Sequence, residues 1–153
     1  MSRVNKISKQ DLAEIRNFIK NIDPDFEVFK SRAFAADVAE EQIFVGNKRF
    51  NWTSQLFLDY WHNEIADFHP NWLVLSILHE VGHLMTTTEE LEDARFELDK
   101  MYTFMYEQKV IDKKEYFDAY FGIPAEMLAT QWGIDYYRQN QELCNDLAEK
   151  LGV

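Results

Sequence analysis

Two histidines and a glutamate fall within five positions of an otherwise apolar run: in NWLVLSILHEVGHLM, residues 71–85, His79, Glu80 and His83 spell His-Glu-x-x-His. On a helix, a spacing of four turns the second imidazole only about 40° from the first, so both rings address one point. Two neutral imidazole nitrogens at about 2.0–2.1 Å make half of a tetrahedral zinc site and leave room for one more protein ligand and a water. Glu80 projects beside such an ion. From there its carboxylate can take a proton from zinc-bound water as that water attacks a carbonyl, then pass it to the leaving nitrogen. A core helix gains nothing from burying these three groups unpaired, because each then costs several kcal/mol, whereas one metal ion satisfies them together. Gly82, between the histidines' neighbours, lets the helix approach another segment closely.

The third ligand must come from elsewhere. His62 and His69 lie upstream and Cys144 stands alone near the end, so the downstream candidates are acids. Glu126 is the choice, since it opens the segment PAEMLATQW as the one charge on a strip shared with Ala129 and Gly133, small residues that favour tight packing. Its competing reading is an acid placed at the positive end of a helix dipole. Glu89, Glu90, Glu92 and Asp93 are nearer in sequence but read as caps and solvated charge. Tyr137, eleven residues after Glu126, falls near the same helical face, where a phenol can stabilise an oxyanion, although such a tyrosine is more often packed. His69 could serve similarly, or sit at the surface of its turn. A Cys144 thiolate blocking the metal is the least favoured role of all.

The elements that position these residues can be read from periodicity and caps. Ser8 and Asp11 form a capping box for a helix from Lys9 to Ile22. The run from Phe26 to Phe50 suggests short antiparallel strands, with residues 32–38 and 42–45 pairing through Glu40-Glu41 and a further strand around 48–52. Thr53 or Ser54 caps a helix to about Ala66, and the turn at Asp67-Phe68-His69-Pro70 leads into the buried helix. Thr86 with Glu89, or Thr87 with Glu90, opens a helix ending near Gln108; Asp112 and Glu115 box a short one stopped near Gly122. Pro124 suits the first turn of the next, and residues 141–151 are helical too. Trp52, Trp61, Trp72 and Trp132 are expected in the core.

Bulk properties bound the answer. With 153 residues the chain is the size of one domain, 1–153, and its 46% apolar and 15% aromatic content is that of a globular protein. No segment approaches the roughly 18 apolar residues of a membrane span, and the polar amino terminus lacks a secretory signal. One cysteine cannot form an internal disulfide or a multi-cysteine zinc site, so a reducing cytoplasm is expected. The net charge of −11, from 27 acids and 16 bases, speaks against nucleic acid as a partner.

Taken together, His-Glu-x-x-His on a buried helix, a small sheet before it and a downstream Glu-x-x-Ala-x-x-Trp helix resemble the gluzincin branch of zinc metallopeptidases, particularly the small ImmA/IrrE-like cytoplasmic group. The likeness spans residues 33–137. In that resemblance His79 and His83 match the histidine ligands, Glu80 the general base and Glu126 the glutamate ligand. It implies an α+β, zincin-like single domain, mostly helical, with a small antiparallel sheet preceding the His-Glu-x-x-His helix. An edge strand, here residues 42–45, would hold an extended peptide above the zinc. The stretch between His83 and Glu126 is longer than in compact members, and Thr130 stands where thermolysin-like gluzincins carry an aspartate that orients a histidine. The expected activity is zinc-dependent hydrolysis of a peptide or protein substrate. The rival expectations are a catalytically inactive zinc-binding regulatory module, such as a toxin-antitoxin or repressor-binding partner, and a hydrolase of small amides.

Overall fold

The computed structural model describes residues 5–153. It is mostly helical, with eight helices and one three-stranded sheet among the described residues. The first helix, α1 (Lys9–Ile22), begins at the expected box, Ser8 Oγ accepting from the Asp11 amide while Asp11 returns the bond to the Ser8 amide. Three strands follow: β1 (Glu27–Lys30), β2 (Ala35–Asp37) and β3 (Gln42–Val45).

The sheet departs from the antiparallel expectation. β2 and β3 pair antiparallel across the acidic turn, but the third strand is β1, which runs parallel to β3, and the order is β1-β3-β2. Residues 48–52 form no strand. The reason lies in the link from β1 to β2. Four residues, 31–34, can span the two strand spacings of about 9.6 Å needed to pass over β3. They cross where Gly46 follows β3: a Cβ there would sit 3.2 Å from both the ring and the amide nitrogen of Phe34. β3, with Ile43 and Val45 buried, is therefore the central strand, and the edge nearest the histidine helix is β2.

Two short helices come next, α2 (Trp52–Tyr60) and α3 (His62–Ile65), broken at Trp61. Asn51, rather than Thr53 or Ser54, caps α2, in a box with Ser54. Trp52 corrects the expectation of a core position: as the first helical residue it is 49% exposed, lying edge-on to Phe117 with the Lys113 ammonium 5.0 Å above its ring. Trp61 is buried, and Trp72 and Trp132 pack partly buried against the core.

The histidine helix is α4 (Trp72–Thr86), capped by Asn71, whose side chain accepts from the Leu73 and Val74 amides. Leu73, Val74, Leu75, Ile77, Leu78 and Val81 are fully enclosed, as expected of a helix apolar nearly all round. Three further elements complete the site: α5 (Glu89–Glu107), capped by Thr88 rather than Thr86 or Thr87; α6 (Lys113–Phe121), boxed by Asp112 and Glu115; and α7 (Pro124–Gln139), with Pro124 in its first turn. The last helix, α8 (Gln141–Leu151), ends at Gly152 in the left-handed conformation. The main packing event is α4 against α7. A Cβ on Gly82 would lie 2.1 Å from the Ala129 carbonyl oxygen, and one on Gly133 would lie 3.2 Å from Leu78 Cβ, so the backbones touch through residues without bulk. No described helix is long and apolar enough to cross a membrane.

Candidate metal centre

The α4–α7 crossing dictates the site. His79 and His83 project from one face of α4, one turn apart, and the face of α7 that carries Ala129 and Gly133 also carries Glu126 and Thr130. Because Gly82 rests on Ala129, the two functional strips meet. His79 Nε2 lies 2.8 Å and His83 Nε2 2.9 Å from Glu126 Oε2, and the two Nε2 atoms are 3.2 Å apart. These three side chains form a cluster able to hold a metal ion, with Glu126 and His83 buried and His79 reaching the cleft.

The donor set fits a small divalent cation. Ligand atoms of a tetrahedral site with bonds of about 2.0–2.1 Å are separated by about 3.3 Å, a few tenths of an ångström from the spacings found. The supporting contacts fit equally well. His79 Nδ1 is 2.7 Å from Thr130 Oγ1, so a proton on Nδ1 donated to that hydroxyl leaves the Nε2 lone pair aimed at the cluster. Tyr120 OH donates to Glu126 Oε1 at 2.6 Å, which occupies one carboxylate oxygen and turns the other, Oε2, to the imidazoles. Thr130, 2% exposed, is thus the buried residue of α7 that fixes the His79 ring.

Electrostatics separate the two glutamates. Burial works against ionisation of Glu126, but hydrogen bonds from His79 and His83 outweigh it and hold its carboxyl far below the usual range. Glu80 also lies buried, with Oε1 3.9 Å from His79 Nε2 and no hydrogen bond to a described residue; burial pushes its carboxyl up, and the attraction of His79 and His83 only partly offsets this. One carboxylate is therefore held ionised within the cluster, while burial favours the neutral form of the other beside it. The Tyr120 phenol is held protonated by burial and by the Glu126 charge.

Glu80 sits between two hollows. One, of about 380 Å³, has His79, Glu80, Phe57, Tyr120 and Phe121 in its wall. The other, of about 210 Å³, is lined by Glu80, His83, Glu126, Tyr120, Glu92 and Arg95, with β2 and Phe34 on its rim. The strand beside the site is accordingly the edge strand β2, and the expectation that residues 42–45 play this part is corrected, since β1 and β2 flank them on both sides.

Other expected roles fall elsewhere. Tyr137 is buried far from the cluster: its hydroxyl accepts from the Asn71 amide and donates to Asn145, fastening the start of α4 to α7 and α8. Eleven residues along a helix is about 16 Å, so sharing a face with Glu126 does not bring it near. His69 is exposed in its turn at φ 47°, and His62 is exposed on α3. Cys144 is enclosed in the core, its thiol pushed up to about 12 by burial. Glu92 is not a solvated charge; it pairs with Arg95 in the wall of the second hollow.

Tyr120 and Arg95 are the residues that sequence reading missed. Tyr120 belongs to α6, and only the turn at Gly122 and Ile123 swings it back over the first turn of α7. Arg95 stands in the sequence as the one base among the acids that open α5. The chain matches no protein-family model, no curated protein and no solved structure.

Proposed function

We propose that this chain is a zinc-dependent metallopeptidase of the gluzincin kind, in which His79, His83 and Glu126 hold the ion and Glu80 is the general base. The observation that carries the reading is the convergence of His79 Nε2, His83 Nε2 and Glu126 Oε2 to within about one ligand spacing, beside a buried carboxylate and an open cleft. A zinc ion bound there supplies Lewis-acid polarisation of a carbonyl and makes a nucleophile of water near neutral pH. Thr130 fixes the ring of His79, and Tyr120 fixes the carboxylate of Glu126, so neither ligand swings free. Glu80, of raised basicity and without a hydrogen-bond partner, takes a proton from the attacking water and returns it to the departing amine as the C–N bond breaks. Phe57 lies edge-on to the His79 ring and edge-on to Phe121 in turn, an apolar flank to the imidazole where it meets the cleft. A zincin-like arrangement and a cytoplasmic setting accompany this reading, the latter supported by a lone thiol buried rather than paired.

The test joins metal analysis to turnover. The purified protein is expected to carry about one zinc per chain and to cleave a peptide pool, while Glu80→Gln retains the metal and loses about 10²–10⁴-fold in rate. Full activity in that variant removes Glu80 as the base. Absence of any bound divalent metal at saturating concentration removes the enzyme reading altogether, and metal without hydrolysis of any peptide leaves an interaction module.

A further inference from the structure

We propose, resting on the metallopeptidase reading for where cleavage falls, that the larger cleft selects a peptide with a bulky apolar side chain beside the bond at Glu80 and an acidic residue within about three positions of it. The cleft is lined by His79 and Glu80, by the aromatic rings of Phe57, Phe121 and Trp72, and by Arg32 and Arg49. Its 380 Å³ lies near the lower end of the roughly 300–1,000 Å³ of ligand pockets, room for a large side chain and a short length of backbone. A sphere of that volume is about 9 Å across, about three residues of extended chain. An aromatic or branched aliphatic side chain set among three aromatic rings removes apolar surface from water, and Phe57 begins this wall in direct contact with His79.

The arginines give the second half of the specificity. Arg32 and Arg49 are the two bases in the lining of this cleft, both are exposed and neither forms an ion pair with a described residue, while Glu80 is the one acid that the lining contains. In a chain of net charge −11, a cleft lined by two bases and one acid has a local balance of charge opposite to that of the molecule. Screening confines each field to about 8 Å at physiological salt, so within the cleft the two guanidinium groups and Glu80 outweigh the acids elsewhere on the surface. A guanidinium also accepts a carboxylate in a two-point contact, which a lysine on the substrate cannot match. The loop carrying Arg49 is set in place, its amide donating to Asn47 Oδ1 at 2.9 Å.

Two peptides decide the matter, each with one Phe and differing only in whether the three positions on either side of it carry Glu or Lys. Fluorescence anisotropy with the zinc-loaded Glu80→Gln protein reads binding, and the wild type reads cleavage. The Glu peptide is expected to bind at least about tenfold more tightly, with the preference collapsing at 1 M salt. Arg32→Glu with Arg49→Glu is expected to reverse it, and the milder Arg32→Gln with Arg49→Gln to abolish it, circular dichroism reporting the fold in each. Replacing the Phe by Ala is expected to cost about tenfold or more. Equal binding of both peptides, or a Glu preference that survives the charge reversal, overturns the proposal. Binding with the expected preference but no cleavage by the wild type keeps the cleft assignment and sinks the peptidase reading instead.

Discussion

A histidine that ligates through Nε2 needs its Nδ1 proton held by another group, and for His79 that group is a threonine. A neutral hydroxyl orients the ring without adding charge, so the carboxylate in contact with the two imidazoles is that of Glu126, with Glu80 3.9 Å from the His79 ring. Thr130→Val keeps the volume and removes the hydrogen bond. Zinc affinity is expected to fall by about 10–100-fold in competition with a chromogenic chelator, with Thr130→Ser recovering most of it. Equal affinity in the valine variant would show that packing alone aims the ring. The same logic explains Tyr120, whose hydroxyl engages Glu126 Oε1 and leaves Oε2 for the imidazoles. Arg95 works at longer range, its positive charge favouring the ionised form of Glu80 against burial.

Between helices, the decisive feature is an absence of side chain. Gly82 is flanked by functional residues yet has no chemistry of its own; its use is to let α4 rest on the Ala129 carbonyl. Gly82→Ala forces a methyl to 2.1 Å from a backbone oxygen, and neither helix backbone can yield without moving Glu126 away from His79 and His83. A loss of about 3 kcal/mol or more in urea unfolding is expected, together with loss of metal from whatever folded protein remains. Gly133→Ala meets Leu78 Cβ at 3.2 Å, a side chain that can shift by a few tenths of an ångström, and should be the milder of the two. If Gly82→Ala retained full stability and zinc, the close crossing would not be what assembles the cluster.

Across the whole molecule, a buried polar tie joins both ends of the chain to the sheet. Asp11 in α1 meets Lys48 Nζ at 3.1 Å, just after β3, and the same ammonium donates to the Leu151 carbonyl at the end of α8. Burial works against the charge on Asp11, but the Ser8 amide, the Lys48 ammonium and the Ser8 hydroxyl outweigh it and lower its carboxyl below the ordinary 3.8. A lowered native value means stability that is full above pH 3.8 and is lost as pH falls through the native value. Asp11→Asn is expected to cost about 1 kcal/mol at neutral pH, and thermal unfolding of the two proteins should converge as pH is taken below that point. A difference that persisted unchanged into strong acid would assign the cost to the lost shape of the carboxylate rather than to its charge.

What the sequence determined was local. The capping boxes at Ser8 and Asp112, the proline opening α7 and the periodic carboxyl end at 141–151 depend on residues three or four apart, and the folded chain places them as read. The spacing of His79 and His83 belongs to the same class, since one helical turn brings them together whatever surrounds the helix. Tertiary structure alone decided that β1 lies parallel to β3 and that Trp52 faces outward, because both outcomes depend on which segment covers another. It also decided that Tyr120, six residues before Glu126 and across a helix break, stands at the cluster while Tyr137, on the same face of the same helix, does not. Periodicity reports direction around one axis; it carries no information about distance along that axis or about the crossing of two axes, and the site is made where α4 and α7 cross.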